Sequence, residues 1–179
     1  MLRNDNAVLV MVDFQVRMMP AINHHEELLE NVVKFAKGCR VLDVQTLVTQ
    51  QYTKGLGDTM PEIKEALGEC EYVEKISFSC CGSDEFTEKL KNSGKKNVLV
   101  TGIEAHICVQ QTVLDLLNDG YNVYLIVDCI GSRTDRNRLY GERRMEQAGA
   151  VLTTMESVLF EMLERADHPK RKEITAIVK

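Results

Sequence analysis

The fold is decided by residues 97–128, "NVLVTGIEAHICVQQTVLDLLNDGYNVYLIVD". Two short runs, 97–102 and 122–128, are almost wholly apolar, as strands covered on both faces should be. Between them, 106–119 carries apolar residues at Val109, Val113, Leu114, Leu116 and Leu117, the spacing of one helix face. Asp119-Gly120 closes that helix. Strand, helix and strand in about 30 residues make a right-handed βαβ unit with parallel strands.

The same alternation continues in both directions. Strand patterns fall at 7–13, 44–50, 72–78 and 150–154, and helical patterns at 25–43, 60–67, 83–93, 135–148 and 155–165. Leu28, Val32, Val33, Phe35 and Ala36 show the helical period in the first of these helices. There is no linker rich in Pro, Gly or Ser and no repeat of fixed period. The expectation is one domain, 1–179: a three-layer α/β/α Rossmann-like fold around a six-stranded, mainly parallel sheet.

Composition narrows the function classes. A net charge of −5 gives no general attraction to phosphate backbones, so no nucleic-acid partner is expected. The one basic cluster, Lys170-Arg171-Lys172 beside Glu173, reads as a solvated helix start. No apolar run approaches the ~20 residues of a membrane span, so no membrane partner is expected. The N-terminal "MLRNDNAVLVMVDF" lacks the long apolar core and small-residue cleavage site of a signal peptide. A cytoplasmic protein is expected, with mitochondrial or other organellar association left open. The six cysteines then read as reduced thiols. No Cys-x-x-Cys or Cys-x-x-His pair exists, so neither a metal nor a cofactor is expected.

Ligands of open α/β sheets sit outside the carboxyl ends of the strands. The reactive side chains at those ends are Asp13, Lys75 and Cys108. They are 62 and 33 residues apart, spacings that suit three strands of one sheet. Each has a structural alternative: Asp13 as a cap, Lys75 on a solvated face, Cys108 as a small buried hydrophobe. Cys108 falls in the first turn of a helix, where free N–H groups and the helix dipole favour a thiolate. A thiol that attacks a carbonyl needs a base and a cation nearby, which Asp13 and Lys75 can supply. Phe14 and Gln15 follow Asp13 and are placed as substrate-binding, Gln15 on the side Asp13 faces if the chain stays extended. His106 points away from Cys108 along a helix. Arg133 reads as a surface ion-pair residue, and Met11, Met18 and Met19 as core or pocket lining.

With "VMVDFQ" (10–15), "VEKISFSC" (73–80), the Gly102–Val109 run and "SRTDRNRLYGERRMEQAGAVLTTMESVLFEML" (132–163), the chain resembles the isochorismatase-like cysteine hydrolases. Within them it is most similar to the isochorismatase domain-containing proteins, which share Gly-Ile-Glu-Ala-His and a His-Pro before the last helix. The resemblance implies an Asp13–Lys75–Cys108 triad and a thioester intermediate. It also implies a cis peptide between Ile103 and Glu104, and an oxyanion hole from the N–H groups of Glu104 and Cys108. It further implies a homo-oligomer, at least a dimer. Nicotinamidases of the superfamily hold a metal on an Asp and two His after the second strand. Here that region, "TQQYTKGLGDT" (49–59), has no histidine, which favours neither that zinc nor nicotinamide. True isochorismatases lack the cysteine. The expected activity is metal-independent hydrolysis of a C–N bond (amide, carbamoyl or imide-like) in a small polar molecule. The alternatives are a catalytically silent binding or scaffold domain and a thiol redox protein.

Overall fold

Every residue of the first strand, β1 (Ala7–Val12), is buried, and its side chains divide strictly between two cores. Ala7, Leu9 and Met11 join one apolar cluster; Val8, Val10 and Val12 join the other. A strand with period-2 side chains and two covered faces is the centre of a three-layer structure. The computed structural model describes residues 1–179. It places β1 among β2 (Gln45–Gln51), β3 (Tyr72–Lys75), β4 (Asn97–Ile103), β5 (Asn122–Gly131) and β6 (Val151–Thr153). All six strands are parallel, in the order β3-β2-β1-β4-β5-β6. Strand order reverses between β1 and β4, which makes a crevice at their carboxyl ends the natural ligand site.

The helices are α1 (His25–Val41), α2 (Thr53–Leu56), α3 (Pro61–Leu67), α4 (Asp84–Asn92), α5 (Gln110–Asn118), α6 (Asp135–Gln147), α7 (Met155–Leu163) and α8 (Arg171–Val178). The first core is closed by Val32 and Phe35 of α1, Ile63 of α3, Leu159 of α7 and Ile174 of α8. The second is closed by Phe86 of α4, Val113 and Leu116 of α5, and Met145 of α6. Ser83, Thr134 and Thr154 cap α4, α6 and α7, accepting from Phe86 N, Asn137 N and Ser157 N. No helix is long and apolar enough to cross a membrane.

Three boundaries depart from the sequence pattern. The third strand stops at Lys75 instead of continuing to Phe78, because the chain folds back to set the carbonyls of Ser77 and Phe78 on the Lys75 ammonium. β5 runs on to Gly131 because its pairing with β4 shifts register between Val100 and Gly102, and the strand resumes beyond Asp128. The helix expected from residue 106 begins as a π-helical turn, Ala105–Val109, before α5 takes over at Gln110.

Candidate active site

Asp13 follows the last residue of β1 with φ +56°, a left-handed conformation that β-carbon sterics disfavour. That twist aims the carboxylate across the end of β2. Oδ1 accepts from Thr49 Oγ1 at 2.7 Å and Oδ2 from Lys75 Nζ at 2.6 Å. Lys75 reaches this point from the last residue of β3, and neither side chain has any solvent exposure. Its other two protons go to Ser77 O at 3.1 Å and Phe78 O at 3.0 Å. All three ammonium donors are therefore spent, and Lys75 is a fixed positive charge beside one oxygen of Asp13.

Cys108 lies in the π-helical turn that follows β4 across the switch point. It is only 3% exposed, and its Sγ donates to Gln51 Oε1 at 3.2 Å. Burial pushes the thiol up to about 12; the negative charge of Asp13 adds to this, and Lys75 pulls the other way. A ready thiolate, expected from the position at a helix start, is therefore corrected. Loss of water and a carboxylate neighbour outweigh the helix dipole, and the resting residue is a neutral thiol. A second thiol, Cys80, is fully buried with Sγ 3.6 Å from Thr49 Oγ1.

The chain can reach this arrangement only with glycine at 102. Its φ is +149°, and a β-carbon there would stand 2.5 Å from Val12 Cβ and 2.6 Å from Val12 O. Beyond it the Ile103–Glu104 peptide is cis, and the Glu104 N–H donates to no protein acceptor. The Glu104 carboxylate is taken by Arg133, through its backbone N–H at 2.9 Å and Nε at 3.1 Å. His106 Nδ1 sits 3.0 Å from Ser132 Oγ, away from the thiol.

The substrate-binding assignments of Phe14 and Gln15 do not fit the structure. Phe14 is fully buried in the first core. Gln15 is also fully buried: Oε1 accepts from Gln51 N at 2.8 Å, while Nε2 donates to Gln51 O at 3.0 Å and Gly57 O at 2.7 Å. The left-handed turn at Asp13 breaks the extended chain that would have put Gln15 beside it. A cavity of about 190 Å³ opens on Cys108, walled by Met18, Leu56, Phe78 and Ile107, with Gln51 and Glu104 as its polar members. Sequence reasoning missed Thr49 and Gln51. They stand at alternate positions at the carboxyl end of β2, but that strand is mostly Gln and Thr, so its pattern does not single them out. No three His, Cys, Asp or Glu side chains come together as metal ligands.

A family model, the isochorismatase domain, matches residues 7–157. The chain belongs to the isochorismatase family. Isochorismatase domain-containing protein 1 of Salmo salar is 34% identical over 167 residues, covering 93% of this chain; the chain spans only 59% of that relative's length. Among solved structures, the MAR1 ribonuclease of Caenorhabditis elegans superposes with TM-score 0.93 at 38% identity, covering 99% of this chain and 91% of that one. YcaC from Pseudomonas aeruginosa, solved with hexane-2,5-diol and covalent acrylamide, gives TM-score 0.91 at 25% identity, covering 99% and 89%. The six-stranded parallel sheet and its flanking helices are thus those of the isochorismatase family.

Proposed function

We propose that this isochorismatase-family protein is a cysteine hydrolase that cleaves a C–N bond (amide, carbamoyl or imide-like) in a small molecule through a thioester. The observation that carries this reading is the solvent-free Lys75–Asp13 pair beside the Cys108 thiol, which lines a cavity. Because the thiol rests neutral, its proton leaves as the new bond forms. Cys108 Sγ bonds to the carbonyl carbon, the thiol proton passes to Asp13, and the carbonyl π pair moves onto oxygen. The N–H groups of Glu104 and Cys108 are the donors proposed for that oxyanion. Collapse breaks the C–N bond while Asp13 returns the proton to nitrogen, releasing the amine. Water then adds to the thioester, Asp13 takes its proton, and Sγ regains a proton as the acid departs. Lys75 holds Asp13 in place through Oδ2 and, having no free donor, does not touch substrate.

The cavity walls refine the expected substrate from simply polar to an amide head on a small apolar body, since four of the lining residues are apolar. Self-association belongs to the same proposal: Tyr52, Ile76 and Phe78 lie 50%, 73% and 52% exposed near the carboxyl ends of β2 and β3. A second copy would cover them, and light scattering would detect it. The name of the C. elegans neighbour supplies a second reading, RNA cleavage.

One panel separates these readings. Small primary amides, carbamoyl compounds, cyclic imides and a single-stranded RNA are incubated with wild type and with Cys108→Ala. Amine release by wild type alone supports the proposal. RNA cleavage surviving in Cys108→Ala would replace it, and silence across the panel would favour a binding or scaffold role.

A further inference from the structure

Gln51 has no part in the mechanism so far, yet it is the residue that holds the nucleophile. Its backbone is gripped on both sides by the buried Gln15 side chain, which accepts from Gln51 N at 2.8 Å and donates to Gln51 O at 3.0 Å. A third bond, from Gln15 Nε2 to Gly57 O at 2.7 Å, ties this clamp to the loop after β2. A fully buried amide spent on one residue's main chain fixes where that residue's side chain begins. From there Gln51 projects into the cavity, Nε2 lies 3.5 Å from Ile76 O, and Oε1 accepts the hydrogen of Cys108.

A thiol has one hydrogen. While it points at Gln51 Oε1, it is not on Asp13, the other acceptor within its reach. From this geometry we infer that Gln51 reads the substrate's N–H: an amide N–H donates to Oε1, displaces the thiol hydrogen, and turns it toward Asp13. Substrate recognition and nucleophile activation are thereby one event. An ester of the same size brings no donor and leaves the thiol on Gln51. Sites built to hydrogen-bond a polar group reject analogues that lack it. This inference rests on the proposed role of Cys108 as nucleophile, but not on turnover.

The test uses thiol addition, which needs no hydrolysis, with acrylamide and methyl acrylate as probes. In both, Sγ bonds to the terminal alkene carbon, and the thiol proton, carried by Asp13, ends on the carbon next to the carbonyl. The acrylamide-to-acrylate rate ratio at Cys108 is divided by the same ratio for a free peptide thiol. We expect wild type to favour acrylamide by about tenfold on this scale, the worth of one hydrogen bond of about 1.4 kcal/mol. Gln51→Leu brings the ratio to about one, and Gln51→Glu, which keeps an acceptor, retains the preference for the amide. A wild-type ratio near one, or the same ratio in Gln51→Leu as in wild type, overturns the inference. Discrimination by a protein that hydrolyses nothing in the panel would uphold it while removing the hydrolase reading.

Discussion

At the scale of single residues, the site depends on a buried ion pair whose members cannot be removed one at a time. Asp13→Ala leaves the Lys75 ammonium without its counter-charge in a place with no solvent exposure. Breaking such a pair costs about 3–5 kcal/mol, which for a chain of this size lowers the melting temperature by roughly 10 °C. Calorimetry should show that drop, and the double variant Asp13→Ala with Lys75→Met should recover part of it while remaining inactive. Full recovery of activity in the double variant would contradict the role given to the pair. Asp13 and Cys108 could be singled out because apolar runs end beside them, whereas Lys75 fell inside the expected strand 72–78 and stands at a strand end only because β3 stops there. Gln15 and Phe14 were misplaced because one dihedral, φ +56° at Asp13, turned the chain away from extension. A positive φ at an aspartate leaves no mark in the residues around it. Gln51 was missed for a different reason: it becomes a site residue only through a contact with Cys108, 57 positions away.

At the scale of elements, the link between β4 and α5 carries the geometry. Gly102 lets β4 run close under Val12, so that the π-helical turn begins at the right height for Cys108 to meet the end of β1. Gly102→Ala must accommodate a β-carbon 2.5 Å from Val12 Cβ with φ at +149°. We expect a loss of about 2 kcal/mol in denaturant unfolding and alkylation of Cys108 that no longer depends on Asp13. Unchanged stability would mean that the turn has more slack than the contacts allow. Gly141 plays a similar part from α6, where a β-carbon would approach His106 Cα to 3.0 Å. The caps are simpler. Thr154→Ala removes the acceptor for Ser157 N at the start of α7 and should cost about 1 kcal/mol in the same experiment. A helix from residue 106 was readable from the apolar spacing of Val109, Val113 and Leu116. The π-helical turn was not, since a five-residue shift in hydrogen bonding preserves the apolar spacing that identifies a helix.

At the scale of the whole molecule, six strands and the two-sided burial of β4 followed from hydrophobic periodicity, and strand order followed from pairing that periodicity cannot specify. The two cores also hold thiols that the folded chain keeps protonated. Burial pushes Cys80 up to about 11 and Cys108 up to about 12, and it raises Cys39 and Cys129 as well. In the unfolded chain these thiols lose their protons near pH 8.5. Below that pH both states hold the proton and the contribution to stability is complete. Above it the unfolded chain binds fewer protons than the folded one, so stability falls as pH rises toward the folded values. Melting temperature should therefore decline steadily between about pH 8.5 and 11, and a flat profile would contradict the burial of these groups. The central claim, that Cys108 is acylated during C–N cleavage, is tested most directly by intact-protein mass spectrometry on protein quenched during incubation with a small amide that it turns over. We predict a mass increase equal to the acyl group on Cys108, released by hydroxylamine and absent in Cys108→Ala. Amine release with no acyl adduct, or release that persists in Cys108→Ala, would contradict it.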